Sequence, residues 1–133
     1  MKAAILAFCT LAVSASADTL GEQSRFVINP VNANDFEVIR LQHMAAAELW
    51  CAAASYVEHR RALSETLSIY VRRPLGPAVT EPNRKGVVFS LSNEGLPPAE
   101  PDRLTLTVKE PGATLKSALA RRFCRDAFTR STK

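Results

Sequence analysis

The chain has 133 residues, of which 47% are hydrophobic and 23% charged, with a net charge of +4 and an isoelectric point near 9.3. That length suits one domain with a core of its own. The balance excludes a disordered or collagen-like chain.

The first seventeen residues carry the marks of an export signal. Lys2 gives a positive start, Ala3 to Val13 is a short apolar run, and Ala15-Ser16-Ala17 is a small-residue cleavage site. A transmembrane anchor needs about 20 apolar residues, which this run lacks. Lipoprotein processing at Cys9 is disfavoured by bulky Phe8 before it. Residues 1–17 are therefore read as a signal peptide and the mature chain as starting at Asp18. No later stretch is long enough to span a membrane, so the expected location is periplasmic or secreted.

Residues 18–34 show little periodicity and read as a flexible N-terminal arm, with a short strand at Arg25 to Ile28 stopped by Asn29-Pro30. A single domain is expected over 35–133. Phe36 to Leu41 is rich in β-branched and apolar residues and reads as a strand. Ala45 to Ala62 reads as one helix. Its Leu49, Trp50, Ala53, Tyr56 and Val57 recur at offsets of three and four, which gathers them on one face. The alanines favour the helix and let another backbone come close. Arg60 and Arg61 fall in the last turn, at the negative end of the helix dipole.

Three alternating segments follow, each with the period of a half-buried strand. Thr66 to Arg72 puts Leu67, Ile69 and Val71 on one side. Val87 to Leu91 does so with Val87, Phe89 and Leu91, and Arg103 to Lys109 with Leu104, Leu106 and Val108. Two proline-bearing loops, Arg73 to Lys85 and Asn93 to Asp102, separate them. All the prolines fall outside the elements so drawn. After Pro111-Gly112, Thr114 to Thr129 reads as a second helix capped by Thr114, with Leu115, Leu119, Phe123 and Ala127 in register. Alternation implies a sheet with one wet face, and the two helices must cover the dry one. The expected architecture is an α+β two-layer sandwich, with a mainly antiparallel sheet of three or four strands.

Chemistry-bearing residues are sparse. Cys51 and Cys124 are the cysteines left after signal cleavage, each directly after an aromatic residue on a helix. In an oxidising compartment such a pair predicts one disulfide, tying the helices together. A redox pair is the competing reading, since Arg121, Arg122 and Arg125 flank Cys124, but the CxxC spacing is absent. Two cysteines without paired ligands make no zinc site, so no metal or cofactor is expected. His43 and His59 lie at opposite ends of the first helix. Ser55 is four residues before His59, yet no motif makes the two a catalytic pair. Arg60-Arg61, Arg72-Arg73 and Arg121-Arg122 are candidate anion ligands, although acidic residues are interspersed. Nucleic acid is not expected as a partner, because the export signal leads elsewhere and the stacking aromatics are missing. Phosphate loops, GxSxG elbows, HExxH and CxxCH are absent.

Leu49-Trp50-Cys51-Ala52-Ala53, followed by three strands and a late helical cysteine, resembles a group of small uncharacterised exported proteins of alphaproteobacteria. That resemblance implies a periplasmic setting and brings no activity or site residue. The expected role is a binding or accessory protein of the cell envelope, whose partner is an envelope protein or an anionic polymer. The alternatives are a polyanion or membrane-surface binder using the arginine pairs, and a small periplasmic hydrolase or redox protein.

Overall fold

A computed structural model describes residues 25–42, 44–99 and 106–130, with side chains up to Arg125. The segment read as a signal peptide, His43, and Arg103 to Thr105 of the third alternating segment lie outside the described residues.

The fold is α+β, with an antiparallel sheet of five strands rather than three or four. The strands are β1 (Ile28–Pro30), β2 (Asp35–Ile39), β3 (Ser68–Pro77), β4 (Lys85–Ser90) and β5 (Thr114–Lys116). They lie in the order β1-β2-β4-β3-β5. Helix α1 (Ala46–Ser55) continues as one π-helical turn (Tyr56–Arg60), and α2 (Ser117–Arg130) follows β5 directly. Because β2 and β3 both run antiparallel to β4, they are parallel to each other. Helix α1 joins them, which makes a split β-α-β unit with β4 inserted.

Strand alternation sets the core. Phe36 and Val38 of β2, Val87 and Phe89 of β4, and Ile69 and Val71 of β3 are all buried in one cluster with α1. The α1 face read from the sequence is buried as expected, through Leu49, Trp50, Ala53, Tyr56 and Val57. An aromatic layer lies between helix and sheet. Phe36 packs on Tyr56 with ring centroids 4.4 Å apart, and Trp50 meets Phe89 edge-on at 5.0 Å. Such pairs add about 0.5–1.5 kcal/mol each beyond their buried area. The Trp50 indole is not left unsatisfied, since its Nε1 donates to the Thr107 carbonyl at 3.1 Å.

Several boundaries differ from the sequence reading. The sheet begins at Ile28, inside the stretch read as a flexible arm, because Ile28 reaches the core and β1 pairs with β2. Strand β3 runs on through Pro74 and Pro77, where a loop was expected. Register shifts between Val71 and Arg73 and between Arg73 and Gly76 take up the residues that cannot hold the ladder. Leu67 lies before the strand begins and is 36% exposed instead of lining the core.

The second helix starts three residues later than expected. Thr114 is not its cap but the first residue of β5, paired with Tyr70. Residues 106–110 form no strand, yet they run beside β3, with Leu75 N–H donating to Val108 O at 2.9 Å. Past the Pro111-Gly112 turn, Val71 N–H donates to Ala113 O at 2.8 Å. Pro111 has no N–H, so the pairing breaks there. Gly112 is required at that turn: its φ is 84°, and a Cβ would strike the Pro97 carbonyl. The buried stripe of α2 is Ser117, Ala120 and Cys124, while Leu119 is 44% exposed.

The π-helical turn closes α1. Arg61 N–H donates to Tyr56 O and Leu63 N–H to Val57 O, both at 2.9 Å. Ala62 adopts a φ of 49°, the left-handed conformation that commonly ends a helix. At the other end Glu48 accepts the Ala45 N–H at 2.9 Å, and alanine at the cap offers no acceptor in return.

The second sheet face is not simply wet. Glu37 points there and is buried, with Ile39, Val88 and Ser90. Its carboxylate accepts the Val79 and Thr80 N–H groups at 2.8 Å each, and the Thr80 hydroxyl as well. Residues 78–84 are thereby folded back over the sheet. Gly86 leaves room for this, because a Cβ there would stand 3.1 Å from the Glu37 side chain and from Val38 O. Asn29 donates to Thr80 Oγ1 and to Glu81 Oε1, at 2.9 and 3.1 Å. The hydrogen bond from Arg84, and then that from Asn29, hold the Glu81 carboxyl below the usual range. Charge-assisted bonds of the Glu37 kind are worth more than neutral ones, and losing the acceptor strands buried donors. Glu37→Ala should therefore cost on the order of 3 kcal/mol in urea unfolding, and Glu37→Gln clearly less. A Glu37→Ala variant as stable as wild type would show that this loop holds without the carboxylate.

Candidate functional site

The first candidate is the cysteine pair. Cys51 and Cys124 are bonded, with Cα atoms 4.9 Å apart, inside the limit of about 7 Å for an unstrained bridge. Small residues surround the bridge in sequence: Ala52, Ala53 and Ala54 of α1 and Ala120 of α2 are fully buried. Cys51 is 1% exposed and Cys124 8%. Thiol–disulfide exchange needs access for an attacking thiolate, and this burial denies it. The Ser55 hydroxyl lies 4.0 Å from Cys124 Sγ, and since a bonded sulfur carries no proton, only the hydroxyl can donate. Ser55 is thus turned into the helix interface, while His59 is exposed on the π-helical turn.

The arginines expected to gather anions are mostly spent on the protein itself. Arg60 donates to the Ile28 carbonyl at 3.1 Å, and its guanidinium lies 5.3 Å from the Tyr56 ring centroid. Arg61 donates to Ala33 O at 3.1 Å. Both fasten the end of α1 to the β1–β2 hairpin. Arg72 reaches Ser92 O at 2.9 Å and Glu94 O at 3.1 Å, and its Nε stands 3.2 Å from Asp35 without hydrogen-bond alignment. Arg121 bridges Glu65 at 3.1 Å and the largely buried Glu58 at 3.4 Å, the second again unaligned. Arg73 and Arg122 are exposed and make no ion pair with the described residues. Two such cations on different elements do not form a cluster.

A concavity lies elsewhere, where the start of α1, the end of β2, Leu75 of β3 and the 106–109 segment meet. Its volume is about 320 Å³, at the lower end of the range of roughly 300–1,000 Å³ usual for ligand sites. Met44, Leu49, Leu75, Leu106 and Val108 supply an apolar wall. Arg40 and Lys109, both exposed, stand on its border. No pattern in the sequence points to this site. Arg40 follows a strand and Lys109 reads as an outward strand residue, and nothing in their spacing unites them. Among the described residues there is no group of His, Cys, Asp and Glu side chains fit to hold a metal ion. None of the described helices is long and apolar enough to cross a membrane. No known protein family, curated protein or solved structure matches this chain.

The arginine geometry has a direct consequence for stability. Arg72→Ala removes hydrogen bonds from a charged donor to two backbone carbonyls and should lower stability by about 1.5–3 kcal/mol. Arg73→Ala should change it by less than about 0.5 kcal/mol, as surface substitutions usually do. Equal melting temperatures for the two variants would remove the structural role given to Arg72.

Proposed function

We propose that this protein is exported to the cell envelope and acts there by binding, as an accessory or carrier protein. The observation that carries the reading is the buried Cys51–Cys124 bond. Disulfides persist in oxidising compartments and are rare as structural elements in the cytosol. The positive, apolar and small-residue pattern of Met1 to Ala17 supports the same route. The resemblance carried by Trp50-Cys51-Ala52-Ala53 agrees with a periplasmic setting.

Binding rather than turnover is favoured by how the polar side chains are used. Glu37 holds a loop, Ser55 faces the disulfide, and Arg60, Arg61, Arg72 and Arg121 brace elements. Concavity and apolar lining are combined at the start of α1, which is what capture of a small ligand needs.

Fractionation of cells expressing the full chain tests the compartment. The expected product is a periplasmic protein whose N-terminus is Asp18. Intact Met1 on a cytoplasmic product with both cysteines reduced would overturn the proposal.

A further inference from the structure

We propose that the concavity at the start of α1 binds a single-chain amphiphile with an anionic head, specifically a medium-chain carboxylate. This rests on the binding role proposed above and gives it a ligand class. The apolar wall would take the chain. Met44, Leu49, Leu75, Leu106 and Val108 surround a space of about 320 Å³. At about 30 Å³ for each water-sized group, it holds on the order of ten heavy atoms. That is the bulk of a medium alkyl chain and too little for a two-chain lipid.

Charge at the border would take the head group. Arg40 Nε donates to Met44 O at 3.1 Å, which fixes the guanidinium plane beside the opening. Its terminal N–H groups have no acceptor among the described residues, and a carboxylate can take two of them at once. Lys109 supplies a second cation on the 106–109 side. Ala45 and Ala46 also line the space, at the end of α1 whose positive dipole the Glu48 carboxylate already faces. Among the described lining residues there is no acid. Glu48, the acid of that helical turn, is turned onto the Ala45 N–H at 2.9 Å. A cationic or zwitterionic head would meet like charge at the opening, and an uncharged one would leave both cations unanswered.

The chain's single tryptophan makes the site observable. Trp50 Nε1 is bonded to the carbonyl of Thr107, a lining residue, so a ligand there perturbs the indole's partner.

Titration calorimetry on the purified, oxidised protein decides the matter, with Trp50 emission as a second readout. Decanoate, kept below its micelle concentration, should bind saturably at one site. Decanol and inorganic phosphate should each bind at least about tenfold more weakly, because each lacks one half of the recognition. The double variant Arg40→Gln with Lys109→Gln gives up the Arg40–Met44 hydrogen bond and should melt somewhat lower but still cooperatively, and, measured well below its melting temperature, it should lose about tenfold in decanoate affinity. Decanol binding as tightly as decanoate would overturn the proposal. So would a folded double variant of unchanged affinity, or the absence of any saturable response to decanoate. Binding to phosphatidylglycerol vesicles without binding to decanoate would also overturn it, in favour of a membrane-surface contact. The measurement uses purified protein, so its failure leaves the export proposal to be judged by fractionation alone.

Discussion

Helix α1 has no free side to speak of: every residue from Leu49 to Ser55 is buried. One side meets the sheet through Trp50 and Phe89, and another meets α2 at Ser55 and the Cys51–Cys124 bond, among small buried residues such as Ala120. Small side chains alone give little area to hold two helices together. The covalent bond supplies what that interface lacks, and it does so where Cα atoms stand 4.9 Å apart. Its partner helix follows β5 without a break, so the same bond secures the sheet edge beside β3. Ser117 N–H donating to Leu67 O and Ala118 N–H to Glu65 O complete that corner.

The rest of the molecule is braced by charged side chains rather than by further core. Glu37 holds residues 78–84 against the second sheet face, and the arginines of the π-helical turn hold the β1–β2 hairpin. Arg60 also occupies the Ile28 carbonyl on an outer strand of the sheet, and Pro30 offers no N–H there. Both features discourage another strand from adding to that edge. The region where α1 begins is held by Arg40 on Met44 O and by Glu48 on the Ala45 N–H. The concavity lies there, with Arg40 and Lys109 on its border. The proposed binding role falls on this part of the fold.

Much of the architecture was legible in the sequence because periodicity reports burial. Ile69, Val71, Val87 and Phe89 were placed by alternation alone, and the Trp50 helix by its offsets of three and four. Alternation failed where turn residues intrude on a strand. Pro74, Gly76 and Pro77 read as a loop, yet β3 passes through them by shifting register. Thr114 looked like a cap because it follows Pro111-Gly112, whereas the tertiary pairing with Tyr70 makes it a strand residue. Glu37 could not have been found, since an acid between apolar neighbours normally marks the solvated face. Its burial depends on loop N–H groups far along the chain and on the missing side chain at Gly86. The cavity escaped for a similar reason: its walls come from four separate stretches, and no local pattern connects them.

The central claim, that the bond between the two helices governs the stability of this fold, is open to one direct measurement. Urea unfolding should be compared for the oxidised protein and for the Cys51→Ala, Cys124→Ala double variant. The bond closes a loop of 74 residues, and chain-entropy reasoning assigns it roughly 4 kcal/mol. The account predicts a loss of that size. A double variant within about 1 kcal/mol of the oxidised protein, and equally cooperative, would contradict it.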